Sequence, residues 1–103
     1  MKSIIHGKTY NTDTAEEIGT HWNGLSRSDF RSCTEALYRT PKGNYFLHGK
    51  GGPMTDYARD CGDSRCGGQR LIPMTETDAL AWAENKLDCD TIATWFGHLL
   101  QEA

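Results

Sequence analysis

The chain has 103 residues, of which 37% are hydrophobic and 10% aromatic, and its formal net charge at pH 7 is −3. This length is typical of one domain, and the aromatic content argues against intrinsic disorder. No apolar run reaches the roughly 18 residues that a membrane span needs. We therefore predict a single domain over residues 1–103 with no membrane partner.

Charge is divided unevenly along the chain. Residues 1–50 carry seven Lys and Arg against five Asp and Glu, whereas residues 51–103 carry four against nine. Contacts to phosphate need Lys and Arg, so the acidic half argues against nucleic acid as a direct partner. An acidic surface instead favours docking onto a basic one.

The first residues, MKSIIHG, turn polar too early for the apolar region of a signal peptide. We therefore expect the protein in the cytoplasm of the host cell. In a reducing compartment, cysteines are thiols or metal ligands before they are disulfides. We therefore interpret the four cysteines as thiols or metal ligands.

The N-terminal half predicts two hairpins separated by a short helix. The first hairpin covers residues 3–10 with a His6-Gly7 turn, and residues 12–14 would cap a helix over 15–18 that Gly19 closes. The second hairpin pairs residues 35–40 with 44–48 across the turn Pro-Lys-Gly, in which Pro presets φ and Gly accepts a positive φ.

The C-terminal half predicts one more strand and two helices. Glycine-rich residues 49–68 form a loop in which Pro53 opens a short helix, and residues 69–72 form a strand that Pro73 ends or marks as an edge. Thr75 would cap a helix through Lys86, and Asp88 would cap a second one. The core face of the second helix is predicted to carry Ile92, Trp95, Phe96, Leu99 and Leu100.

Strands followed by helices predict an α+β fold. We expect an antiparallel sheet of about four to five strands, with the two C-terminal helices packed on one face and short extra helices elsewhere.

Cysteine and histidine allow a zinc site. Zinc takes four ligands at tetrahedral angles, and the spacing of Cys61 and Cys66 lets two thiols in one loop share an ion. Cys33 and His48 would complete the set. The alternative is free thiols in the loop and buried thiols elsewhere, and Cys89 in the last helix is read as a small buried hydrophobe.

No catalytic motif is present in the sequence. The serines lie in no nucleophile elbow, no thiol-protease motif occurs, and the four histidines are scattered. The glycine cluster at 49–53 departs from the phosphate-loop pattern, and Pro53 removes an amide that a phosphate would need. We predict that the protein is not an enzyme.

Binding residues are predicted from charge and aromaticity. Glu84, Asp88 and Asp90 form either an ordinary solvated helix face or a docking surface for a basic partner. Tyr57, Tyr45 and Trp22 are candidate exposed anchors, because aromatic residues dominate interface hot spots. Trp82 and Trp95 are assigned to the core instead.

Six runs stand out along the chain: 4–12 (IIHGKTYNT), 37–47 (LYRTPKGNYFL), 51–54 (GGPM), 72–75 (IPMT), 79–84 (ALAWAE) and 95–97 (WFG). Through these runs nearly the whole chain resembles a family of small proteins carried by phages, prophages and other mobile elements of bacteria. Small accessory proteins of mobile elements often block host immunity, and anti-CRISPR proteins are similar in size and acidity.

The resemblance implies an inhibitor that binds a host defence complex stoichiometrically, with a CRISPR effector as the leading target. The alternative is a zinc-stabilised regulatory or nucleic-acid-associated module of the mobile element itself. A small hydrolase with an unrecognised site ranks below both.

Overall fold

A computed structural model of the protein describes residues 1–26 and 28–103. The predicted α+β fold is confirmed. The described residues form β1 (Lys2–Ile5), β2 (Lys8–Asn11), β3 (Glu16–Trp22), β4 (Cys33–Arg39), β5 (Tyr45–Gly51), β6 (Arg59–Asp60), β7 (Arg65–Cys66), β8 (Gly68–Met74), α1 (Glu76–Lys86), α2 (Cys89–Phe96) and a 3-10 turn (Gly97–Leu99).

The predicted N-terminal hairpin is confirmed. Strands β1 and β2 pair antiparallel, with Ile5 opposite Lys8 across a two-residue loop. Both loop residues have positive φ, 51° at His6 and 76° at Gly7. That backbone matches the right-handed twist of the strands, and Gly adopts it without a steric penalty.

The helix predicted over residues 15–18 is wrong, because Ala15 lies in a bend and residues 16–18 begin β3. This strand pairs antiparallel with β4, and the register shifts between Glu17 and Gly19. The shift lets Ile18 turn into the core, where it is buried while both glutamates before it stay exposed. A helix of one or two turns is marginal alone, so pairing with β4 outweighs the local capping signal.

The predicted central hairpin is confirmed and forms the middle of a four-stranded antiparallel sheet. Its strand order is β3-β4-β5-β8, and the hairpin turn places Gly43 at φ 87°. Pro73 lies in β8, opposite Phe46. Because β8 is an edge strand, the missing backbone N–H of Pro73 does not interrupt the sheet.

The loop after β5 differs from its prediction. Gly49 and Gly51 belong to β5, and the short helix expected after Pro53 is wrong, because residues 53–57 form successive turns. Beyond these turns, β6 and β7 form a small hairpin. A disulfide between Cys61 and Cys66 closes it.

Both predicted helix caps are confirmed. The Thr75 hydroxyl accepts a hydrogen bond from the Asp78 amide at 3.1 Å, and the Asp88 carboxylate accepts one from the Thr91 amide at 2.9 Å. Each bond satisfies an amide that the helix itself leaves without a partner.

The core face predicted for α2 is too long. The α-helix ends at Phe96, and the chain continues into the 3-10 turn. The different residue spacing of that turn takes Leu99 and Leu100 off the core-facing stripe, and their exposed fractions are 37% and 43%.

The sheet is covered differently on its two faces. The helix-side face carries Leu37 and Leu47 and packs against both helices, as predicted. The hairpin-side face carries Phe46 and Leu71, on which the Tyr10 side chain of the N-terminal hairpin packs. The main buried members of the helix-side core are Ile18, Leu37, Tyr45, Leu47, Ala79, Ala83, Ile92 and Phe96.

Candidate functional site

The helical layer presents an acidic surface. Residues 76–96 contain five Asp and Glu against a single Lys, and all five acidic side chains are exposed. Helices α1 and α2 bury Ala79, Ala83, Ile92 and Phe96 and so turn these acids away from the sheet. We call the group the acidic helix surface: Glu76, Asp78, Glu84, Asp88 and Asp90.

Two of these acids are engaged within the fold. The Asp88 carboxylate caps α2, and its hydrogen bonds to Thr91 hold the pKa of that carboxyl below its usual range. Glu76 lies 2.9 Å from the imidazole of His98 and also accepts a bond from the hydroxyl of Tyr45. Within the described residues, the carboxylates of the other three have no hydrogen-bond partner.

Tyr45 and Tyr57 are wrong as exposed anchors, since only 4% and 6% of their surfaces are exposed. The Tyr45 ring stacks on Phe96 at 5.5 Å between centroids. The Tyr57 ring lies over Gly49, where a Cβ atom would come within 1.9 Å of it. A glycine inside a β-strand is the signal that marks this close approach.

Glu35 forms a hydrogen-bonded cluster that the sequence analysis did not identify. Its carboxylate accepts bonds from the Tyr57 hydroxyl and, at 3.2 Å, from the Trp82 indole N–H. The Arg70 guanidinium lies 5.1 Å from the Tyr57 ring centroid and donates to the carbonyl of Asp56. The cluster therefore fastens the loop after β5 to β4, β8 and α1.

Cys33 lies at the edge of this cluster and is half-buried. Burial raises the pKa of its thiol, and the negative charges of Glu35 and Asp56 raise it further. A thiol becomes nucleophilic when its pKa is lowered. The environment of Cys33 therefore disfavours the thiolate.

The four residues predicted to bind zinc are not brought together. Cys61 and Cys66 share a disulfide. His48 pairs with Ala36, three residues after Cys33 on β4, so alternation places His48 and Cys33 on opposite faces of the sheet. Within residues 1–26 and 28–103, no three His, Cys, Asp or Glu side chains are grouped as metal ligands.

Two expectations about thiols are also corrected. The loop cysteines were expected to be reduced, but they are bonded to each other. Cys89 was expected to be buried, but it is exposed, because α2 directs Ile92 and Phe96 toward the sheet instead.

Three apolar side chains are exposed, one at the end of β3, one before β4 and one in the loop after β5. Trp22, Phe30 and Met54 expose 55%, 63% and 66% of their surfaces. The Met54 amide donates to the Phe30 carbonyl at 2.9 Å, and the Trp22 indole donates to the Leu25 carbonyl at 2.8 Å. Trp22 is thus the one predicted anchor that the fold leaves exposed. We call these three residues the apolar cluster.

Comparisons with protein-family models, with curated proteins and with solved structures find no match. No helix in the described part of the chain is long and apolar enough to cross a membrane.

Proposed function

We propose that the protein acts by binding, and that it docks its acidic helix surface onto a basic surface of another macromolecule. The observation that carries the proposal is the exposure of Asp78, Glu84 and Asp90 without a described hydrogen-bond partner on helices anchored to the sheet. Because the packing of the helices already orders their backbone, docking requires no folding of this segment, which lowers the entropic cost of the complex.

The arrangement of charge supports this orientation. Lys50 lies on the hairpin-side face of the sheet, and Lys2 and Lys8 lie on the hairpin that packs there, whereas the acids lie on the helical layer. A basic partner is therefore attracted to the helical layer, whereas the hairpin side carries Asp13 and Glu17 as well as these lysines. Such complementarity raises the association rate and selects the docking orientation.

The resemblance to proteins of mobile elements supplies the partner class. We propose a host defence complex, with a CRISPR effector as the leading target. Proteins that hold a guide or target strand line the channel with basic residues. An acidic surface that enters such a channel competes with the nucleic acid for those residues. Inhibition then requires one bound protein per blocked effector and no chemical step.

The apolar cluster offers a second area of contact. Trp is enriched among the residues that dominate binding energy, and Trp22 is held in place by its bond to Leu25. Because Trp22 lies on the hairpin-side face of the sheet and the acids lie on the helical layer, this contact would be separate from the acidic interface.

Capture from a bacterial lysate that contains a CRISPR effector tests the proposal. The tagged protein should enrich effector subunits, as read by mass spectrometry, and should block target cleavage by the purified effector. Recovery of metabolic enzymes alone, or of DNA without a defence protein, would contradict it.

Titration of the cleavage assay separates binding from catalysis. A stoichiometric inhibitor leaves excess effector fully active at every incubation time. An enzyme acting on the effector would inactivate the excess as incubation continues, and this result would also contradict the proposal.

A further inference from the structure

One end of the hairpin-side face of the sheet is left uncovered. The N-terminal hairpin packs over Phe46 and Leu71. Toward the other end of the strands, four residues form a row across the sheet on this same face. Each residue of the row is paired in register with the next, so all four side chains share the face. That row is Trp22, Thr34, Lys50 and Gln69.

A groove of about 630 Å³ lies along three residues of this row, Thr34, Lys50 and Gln69. It is lined by the polar side chains of Ser32, Thr34, Lys50 and Gln69 and by the backbone of three glycines. None of the lining residues is acidic, although the chain as a whole carries a net charge of −3. The lining residues of the groove therefore carry one positive charge and no negative charge.

Three side chains in the groove have donors to offer. Lys50 is exposed, and neither its ammonium nor the Thr34 hydroxyl has a hydrogen-bond partner within the described residues. The Gln69 carbonyl oxygen lies 2.9 Å from the imidazole of His48, which leaves the amide NH₂ group free to donate. An ammonium, a hydroxyl and an amide are common ligands of a phosphate group.

Trp22 adds an aromatic surface at the end of the same row. Its bond to the Leu25 carbonyl holds the indole, and 55% of the residue is exposed. Adjacent strands lie about 4.8 Å apart, so the backbones of Trp22 and Lys50 are separated by about 10 Å. Aromatic side chains beside a basic groove stack nucleobases whatever their sequence.

We propose that this groove binds a nucleoside phosphate, with the base on Trp22 and the phosphate at Lys50 and Gln69. The ligand is either a free nucleotide or one unit of a single strand. This site does not rest on the proposed function, because it lies on the side of the sheet opposite the acidic helix surface. The prediction against nucleic acid came from the acidic half. Trp22, Thr34 and Lys50 belong to the basic half, and Gln69 is the one proposed ligand from the acidic half.

The test is an amide NMR titration of the whole chain with adenosine 5′-monophosphate and, separately, with a short oligothymidylate. Binding should shift the amides of Thr34, Lys50 and Gln69 and the indole N–H of Trp22. W22A should weaken binding about tenfold, in line with the usual loss of one stacking contact. K50Q should also weaken binding, because it removes the positive charge that meets the phosphate. K2Q removes the same charge on the N-terminal hairpin and should bind like the parent.

The two ligands distinguish the source of the nucleoside phosphate. If the oligothymidylate binds no more tightly than adenosine 5′-monophosphate, the ligand is a free nucleotide. If affinity grows with strand length and falls with salt, the ligand is a single strand. The proposal is overturned if neither ligand shifts these signals at millimolar concentration. It is equally overturned if W22A and K50Q, with spectra as dispersed as the parent, bind both ligands unchanged.

Discussion

Glu35 joins three separate parts of the structure. It lies on β4, yet its carboxylate holds the hydroxyl of Tyr57 from the loop and the indole of Trp82 from α1. All three groups are at least half-buried. A polar group at such a position is costly to leave without a partner, so the cluster acts as a unit.

Replacing Glu35 by Ala should therefore lower the free energy of unfolding by about 1–3 kcal/mol, because the tyrosine and indole donors lose their acceptor. E35Q is the matched control: its amide oxygen accepts from Trp82, and its NH₂ group donates to the Tyr57 hydroxyl oxygen. Urea denaturation measures both variants. An E35A variant as stable as the parent would show that the cluster contributes nothing to folding.

Through Tyr57, the stability that this cluster contributes depends on pH. Burial raises the pKa of its hydroxyl far above the ordinary value of about 10, and the carboxylate of Glu35 raises it further. The native state therefore holds the proton more tightly than the unfolded chain does. This contribution to stability is complete below about pH 10 and is lost as pH rises above it.

We expect the free energy of unfolding to fall with pH above about 10, and Y57F to fall less steeply. Part of the decline should remain in the variant, because burial also raises the pKa of Tyr38 and Tyr45. Denaturation midpoints measured across the alkaline range provide the comparison. Identical slopes for Y57F and the parent would contradict the assigned role of Tyr57.

At the scale of elements, α2 anchors the helical layer through Phe96. This side chain is fully buried and stacks on Tyr45, whereas Leu99 in the following turn is 37% exposed. F96A should cost about 3–5 kcal/mol of stability, and L99A should cost much less because its site remains partly solvated. Equal losses of stability for F96A and L99A, in thermal or urea unfolding, would contradict a helix that ends at Phe96.

The β6–β7 hairpin is held by the disulfide instead of by an apolar core. Arg59, Asp60, Cys61 and Arg65 are all exposed. Closing a loop of about six residues constrains the unfolded chain by about 2 kcal/mol in the chain-entropy description. Reduction should therefore loosen this hairpin while the four-stranded sheet keeps its structure.

Thiol counting tests this assignment. In the native protein, one thiol per chain should react quickly with a disulfide reagent, because Cys89 is exposed while burial and nearby charge raise the pKa of Cys33. The remaining pair should react only after reduction. Protein purified without chelator should hold no stoichiometric zinc, since the bonded sulfurs offer no thiolate. Four native thiols, or one zinc per chain, would contradict the disulfide.

The elements that the sequence predicted correctly are those with local signals. The caps at Thr75 and Asp88 and the turn before Gly43 each depend on residues within a few positions of one another. Strand β3 was missed because Ile18 becomes buried only when β4, more than ten residues later, pairs beside it. No local pattern reports a long-range pairing of this kind.

Among the predicted site residues, those with a local signal were also placed correctly, and those that depend on distant residues were not. Exposed acids on helices follow from helical periodicity, so Glu84 and Asp90 were placed correctly on the surface. The burial of Tyr57 depends on the space left by Gly49, which periodicity does not show. The zinc prediction took the cytoplasmic expectation as its starting point and therefore treated Cys61 and Cys66 as free ligands.

At the scale of the whole molecule, the sheet separates two different surfaces. The helical layer is acidic, and the opposite side carries Lys2, Lys8 and Lys50. If the proposed docking is correct, the acids govern how fast the complex forms and how strongly it responds to salt. Asp88 is excluded from this test, because reversing its charge would also remove the cap of α2.

The most direct test is the affinity of the protein for a purified CRISPR effector, measured at low and at physiological salt. The E84K/D90K variant should associate more slowly, bind more weakly and lose most of its salt dependence. The D13K/E102K variant changes the same amount of charge at exposed positions outside the acidic helix surface and should bind like the parent. Unchanged low-salt affinity of E84K/D90K, or an equal loss in both variants, would contradict docking through the acidic helix surface.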